Sequence, residues 1–348
     1  MRILVLYEEL AWYFVNCLNE AADAGASQIL VFCRRANSNA PFEFSYVHPS
    51  IHIIDRATLT ASEMQAQAQE FAPDGIFIGG WAHKPYLQLI KKVKPRATAI
   101  GFDNRWQGSL RQRLGALYFK LVQKKHIQKA FVPGREQRAF ARQLGFAEKD
   151  IISSAYCCDY KLFSNYYESA RMQKERVFPK RFLYVGRYAR EKGILDLWSA
   201  FIAWQNEKPS EWELYCLGKG DLVPPLHEKI KHLGFVQPEN MQDIIAKTGV
   251  FILPSTFEPW GVVVQEYAAA GYPLLCSDKI GAADAFLNEP VNGFLFEAGN
   301  QDQLKEKINK FSTLNEQELN AMARQSVKLA GGITPALWAQ NFLNLFAV

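Results

Sequence analysis

The sequence predicts an α/β protein made of two doubly wound parallel sheets, and three observations lead there. Apolar, β-rich runs alternate with helix-length amphipathic stretches along the whole chain. That alternation lapses in a polar stretch and then restarts. The 348 residues also suffice for two domains of roughly 150 residues each. Repeated β-then-α order demands parallel strands joined by helical crossovers, with helices on both faces of each sheet.

In the first half, strands are expected at 2–7, 28–33, 51–54, 75–79, 96–101 and 130–132, with helices such as 11–24, 61–71 and 108–128 between them. In the second half, strands are expected at 181–186, 212–217, 250–254 and 273–276, with helices at 193–206, 239–247 and 261–271. The charged stretch near 158–178 reads as the linker. The domains are therefore expected at 1–160 and 161–334. The stretch 335–348 carries Leu337, Trp338, Phe342, Leu343 and Phe346 at helical spacing. It either returns to the first domain or caps the second.

A chain 49% hydrophobic and 22% charged is neither disordered nor fibrous. The opening run MRILVLYEEL is interrupted by Glu8 and Glu9, which suits a buried first strand better than a signal peptide. No stretch of about 18 uncharged apolar residues is present, so no transmembrane helix is expected. Six scattered cysteines fit free buried thiols in a reducing cytoplasm. The charge is uneven. Residues 84–142 hold fifteen Lys or Arg against Asp103 and Glu136 alone, a local balance of +13 in a chain of net charge +5. A basic region of that density suits an anionic partner.

Ligands of parallel sheets bind beyond the carboxyl ends of the strands, so the loops there are the place to look. The run Phe182–Val185 leads into Gly186-Arg187, then Lys192-Gly193, where two cations are able to converge on a phosphate. A plain turn is the alternative. Gly218 lies in a Gly-Lys-Gly loop after the next strand, a weak signal by itself. The third loop follows Val250–Leu253 and runs through Glu258, Pro259, Trp260 and Gly261 into a helix. A helix start offers free N–H groups and the positive end of a dipole to an anion. Glu266 sits about a turn and a half into that helix. The two carboxylates thus flank a diphosphate position, where each is suited to accept from vicinal sugar hydroxyls. A favourable helix-end charge for Glu258 and a solvated face for Glu266 are the alternatives. The small-residue run Ala268–Ala270 argues for tight packing beside Glu266.

Together these residues resemble glycosyltransferase family 4, a large retaining family with the GT-B fold, in which two Rossmann-like doubly wound domains face each other across a cleft. The resemblance covers roughly 155–310 well and the first half only in outline. It rests on Asp159 and Phe163 near the domain opening, on Gly186-Arg187 with Lys192-Gly193, on the Glu-x7-Glu pair Glu258 and Glu266, and on Asn292-Gly293-Phe294-Leu295. It implies that Arg187 and Lys192 stabilise a departing diphosphate and that Glu258 contacts the donor sugar. Glu266 would hold the ribose, and the backbone of Gly261, Val262 and Val263 would meet the phosphates. Gly186, Gly218 and Trp260 would line the donor site, with Phe235 and Val236 near the nucleobase. It further implies a hexosyltransferase using a UDP- or GDP-linked sugar, with no cofactor and no metal. The absence of an Asp-x-Asp motif agrees.

The first half departs from the family. Tyr7-Glu8-Glu9 replaces the usual glycine pair, and Phe102 stands where a histidine is usual. His83, with Trp81, Asp103 and Asn104, supplies acceptor-side candidates, an ordinary loop histidine being the alternative. The acceptor is expected to be a glycan or a lipid-linked glycan. The basic region 84–142 is expected either to contact an anionic membrane at the inner face of the cell membrane or simply to be solvated. No nucleic-acid module is present. A nucleotide-sugar 2-epimerase of the same two-domain fold and a non-catalytic nucleotide-sugar-binding relative are the rival readings.

Overall fold

A computed structural model describes residues 1–34 and 42–347. The chain divides into two compact units. The first ends at Cys157 and takes back the C-terminal segment from Ile333; the second spans Cys158–Gly332.

The first unit is built on a seven-stranded sheet: β1 (Arg2–Glu9), β2 (Gln28–Arg34), β3 (Ile51–Asp55), β4 (Gly75–Gly79), β5 (Ala97–Gly101), β6 (Lys129–Phe131) and β7 (Ile151–Ile152). The order is β3-β2-β1-β4-β5-β6-β7. Every described pairing is parallel. The apolar opening of the chain follows from this. β1 lies at the centre, so Ile3 and Val5 enter the core on one face while Leu4 and Leu6 enter the core on the other.

The C-terminal helix Pro335–Asn344 packs on the first of these cores. Thr334 caps its N-terminus by accepting from the Leu337 N–H. Trp338 is fully buried, donates from its indole N–H to the Ala155 carbonyl at 2.7 Å, and lies 5.7 Å edge-on to Phe14. Phe346 lies so close to Gly75 that a side chain there would collide with the ring, at 2.3 Å.

The second unit holds a six-stranded sheet: β8 (Arg181–Val185), β9 (Glu213–Leu217), β10 (Ile230–Gly234), β11 (Val250–Leu253), β12 (Leu274–Ser277) and β13 (Gly293–Phe296). Its order is β10-β9-β8-β11-β12-β13, again wholly parallel. The strand order reverses between β8 and β11, and the carboxyl ends there form a topological switch point.

The expected linker is instead a 17-residue helix, Tyr160–Arg176. Asp159 caps it by accepting from the Leu162 N–H. Phe163, Tyr166, Tyr167, Ala170 and Lys174 line its buried face. Polar residues on the outer face hid that stripe. The expected helix 108–128 is also broken into a helix Leu110–Tyr118, a π-helical turn Phe119–Gln123 and a 3₁₀ turn Lys124–His126.

Lys174 is an unexpected feature of the linker helix. Its ammonium is enclosed, has no hydrogen-bond partner among the described residues, and sits 4.1 Å from the centroid of the Tyr272 ring. Burial pushes it down to about 7. The folded state therefore binds fewer protons than the unfolded state between about pH 7 and 10.5, and stability rises with pH across that window. Lys174→Met is expected to stabilise the protein at neutral pH by a few kcal/mol, with the gain shrinking as pH approaches 10. Denaturant melts at several pH values check it; an equal or lower stability of the variant at pH 7 contradicts it.

Candidate active site

Four loops meet at the carboxyl edge of the second sheet, and glycines allow them to touch. Gly193 has φ +64°, and a side chain there would strike the Pro254 carbonyl at 2.0 Å. Gly218 has φ +131°, and a side chain there would strike the Gly186 carbonyl at 1.9 Å. The loop after β8 is thus pressed against the loops after β11 and β9. The Thr256 N–H donates to the Glu191 carbonyl at 2.9 Å, which ties the β8 and β11 loops further. The Glu258 N–H donates to Lys279, and the Gly281 N–H returns a bond to Glu258, which adds the loop after β12.

Lys192 and Glu258 come together on this platform. Their side chains form an ion pair from different loops and are only 19% and 13% exposed. The Ser255 hydroxyl also donates to the same Glu258 oxygen at 3.4 Å. Ser277, fully buried, donates to the Ser255 carbonyl and holds that turn. Neither serine stood out in the sequence, because their roles depend on partners in separate loops.

Arg187 takes a different position. Its guanidinium pairs with Glu191 at 3.0 Å, and both side chains are about half exposed. Such an exposed pair contributes under about 1 kcal/mol. A charge-assisted contact to a ligand oxygen is worth about 1.5–3 kcal/mol, more than this pair contributes. The turn itself is firm: the buried Tyr184 hydroxyl donates to the Arg187 carbonyl at 2.8 Å.

Gly261 precedes the helix Val262–Ala269 with φ +93° and provides no side-chain cap. A side chain at Gly261 would lie 2.9 Å from the Glu258 methylene, so glycine lets that carboxylate lie beside the helix start. The first-turn N–H groups of Val262 and Val263 precede the first intrahelical bond and are donors for an anion. Trp260 is buried, and its indole N–H lacks a partner among the described residues.

Glu266 is largely but not wholly enclosed, and its carboxyl has no hydrogen-bond or ion-pair partner among the described residues. Burial, helped by the charge of Asp159, pushes it up to about 8. Its neighbour Gln265 does the structural work instead. Fully buried, Gln265 accepts from the Cys158 N–H at 2.8 Å and donates to the Ala330 carbonyl at 3.0 Å. Division of labour between adjacent residues leaves Glu266 uncommitted. On the far side, Gly218 donates from its N–H to the Gly234 carbonyl, which brings Phe235 and Val236 next to the β9 loop.

The first-unit candidates separate into two neighbourhoods. His83 occupies the N-cap position of the helix Lys84–Val93 without a side-chain capping bond and lies edge-on to Tyr86 at 4.3 Å. Burial and the nearby Arg56 push its pKa down, so it is neutral at pH 7. Arg56 itself pairs with Glu8 at 2.7 Å. Asp103 instead neighbours Tyr7 and Tyr156, while Asn104 is exposed. Trp81 packs against Phe102, Phe119 and Phe140 at 5.2–5.8 Å and serves the core.

Residues 168–328 match the model for glycosyl transferases group 1. The matched residues make up most of the second unit. An uncharacterized glycosyltransferase of Methanocaldococcus jannaschii is 30% identical over 36% of this chain and 34% of its own length. An N,N'-diacetylbacillosaminyl-diphospho-undecaprenol α-1,3-N-acetylgalactosaminyltransferase of Campylobacter jejuni is 24% identical over 81% of this chain and 76% of its own. The chain spans about a third to a half of the length of the first curated relatives it matches. Anabaena Alr3699/HepE, solved in complex with UDP, superposes over 99% of both chains with a TM-score of 0.75 and 16% identity. That likeness shows the fold: the two parallel-sheet units of a GT-B architecture are both present here.

Proposed function

We propose that the protein is a retaining, metal-independent glycosyltransferase that moves a hexose-type sugar from a nucleotide diphosphate to a glycan or lipid-linked glycan acceptor. The observation that carries this is the convergence of the Lys192–Glu258 pair with the open helix start at Gly261, with Arg187 on the same loop as Lys192 and Glu266 uncommitted in the helix that follows. Cations and helix dipole belong with the diphosphate, Glu258 with the sugar, Glu266 with the ribose hydroxyls, and Phe235 and Val236 with the base. The UDP held by the solved neighbours favours UDP over GDP. The Campylobacter relative's acceptor favours a lipid-diphosphate-linked glycan. Action in the cytoplasm, with contact to an anionic membrane through the basic region 84–142, goes with that acceptor.

In the reaction, the bond from the anomeric carbon to the diphosphate breaks and its electron pair leaves with the nucleotide. Arg187, Lys192 and the N–H groups of Val262 and Val263 balance that charge as it develops. The acceptor hydroxyl attacks from the face the diphosphate vacates and passes its proton to the leaving oxygen, so the configuration is kept. The test is a panel of nucleotide sugars with product analysis. Transfer of the sugar with release of nucleoside diphosphate supports the proposal. Isomerisation of the donor, or nucleotide binding without turnover of any donor, overturns it.

A further inference from the structure

We infer that the face presented by Leu110, Leu114, Leu117, Tyr118 and Leu121 inserts into the surface of an anionic bilayer. These five side chains are 73%, 59%, 53%, 53% and 69% exposed. They fall at i, i+4, i+7, i+8 and i+11, one face of a helix about 16 Å long. The opposite face is already occupied: Ala116 and Phe119 enter the core of the first unit, and Gln123 is buried. The segment is therefore apolar on both sides, and the core explains only one of them. Scattered surface leucines are ordinary, but five along one stripe form the kind of contiguous patch that marks an interaction site.

Charge selects the occupant. Arg111, Arg113, Lys120 and Lys125 are exposed beside the stripe. No acidic residue occurs from Asn104 through Arg135. Leucines flanked by cations, without one acid nearby, suit a headgroup–acyl boundary rather than a mixed-charge protein interface. The π-helical turn Phe119–Gln123 assists. Its wider turn keeps Phe119 and Gln123 inward while Leu121 stays outward and extends the stripe. No described helix is long and apolar enough to cross a membrane, so this element lies along the surface.

The inference deepens the lipid-linked acceptor reading and rests on it for the biological role. Vesicle binding, however, is read without donor or acceptor, so its failure and the failure of transfer are separate results. The full chain is mixed with phosphatidylcholine vesicles or with vesicles enriched in phosphatidylglycerol, then floated. Binding is expected to the anionic vesicles and to weaken as salt is raised. Neutralising Arg111 and Lys120 with glutamine is expected to lower partitioning about fivefold per residue. Leu114→Ser with Leu117→Ser is expected to lower it at least tenfold. Val223→Ser with Leu226→Ser, which removes exposed apolar groups of the second unit, is expected to leave it unchanged. A Leu117→Trp variant reports insertion as a blue shift of its fluorescence. Equal flotation of the leucine variants and wild type overturns the inference. So does a leucine-dependent self-association in place of vesicle binding, which would assign the face to a second copy of the chain.

Discussion

Lys192→Ala and Arg187→Ala are each expected to lower turnover about 10²–10³-fold, the usual cost of removing one preorganised donor from a developing anion. The loss falls mainly on kcat, because the diphosphate gains its extra charge only as the sugar leaves. The two variants differ in a way their environments dictate. The Arg187 side chain is half exposed and, among the described residues, bonded only to Glu191 on its own turn, so its removal is expected to leave stability nearly unchanged. Lys192 neutralises a mostly enclosed Glu258, and its removal leaves that carboxylate without its cation. Lys192→Ala therefore also melts earlier, and Lys192→Ala with Glu258→Gln recovers stability without recovering activity. Single-turnover rates and melting curves measure both effects. Near-normal turnover in both single variants sinks the assignment.

Glu266→Gln trades donor binding for stability. The free carboxyl titrates at about 8 in the folded chain, against an ordinary value of 4.5. Only its ionised form accepts two hydroxyl hydrogen bonds, so binding at neutral pH releases a proton. Donor affinity is expected to rise about tenfold per pH unit up to about pH 8 and to level off above it. In the variant the slope disappears and affinity drops about 10–100-fold, one or two charge-assisted bonds. Stability moves the other way. A raised acid pKa means that the folded state holds more protons than the unfolded state between about pH 4.5 and 8, so stability declines as pH rises through that window. Glutamine removes the decline and gains on the order of 2–4 kcal/mol at the alkaline end. Calorimetric titration of UDP and denaturant melts at about pH 5 and pH 9 test the two halves. A pH-independent affinity in the wild type contradicts the role.

The residues proposed for the donor are legible in the sequence because each sits where local rules concentrate information. A strand, a glycine and a charged loop announce Arg187 and Lys192, and a loop running into a helix start announces Glu258. Residues that act through distant partners were not legible. Gln265 looks like any polar helix residue until it meets Cys158 and Ala330. Ser255 and Ser277 gain meaning only from each other. β10 escaped notice because Lys231 and His232 interrupt its apolar pattern at the sheet edge, where one side needs no burial. The helix Tyr160–Arg176 was concealed by its solvated face, and the packing of Trp81 on Phe102, Phe119 and Phe140 depends on residues distant in sequence.

The return of the C-terminal helix has a consequence for biosynthesis. Trp338, Phe342 and Phe346 complete the core beside Phe14 and β1, yet they leave the ribosome after the entire second unit. The second unit is contiguous and able to close while translation continues. The first must wait, with one face of its sheet only partly covered, for residues translated about 180 positions after its own last strand. Domains commonly mature from the amino end onward; this chain reverses the schedule. The nascent first unit is accordingly the part that needs shielding by chaperones, and shortening the chain by its last helix damages residues encoded at its beginning.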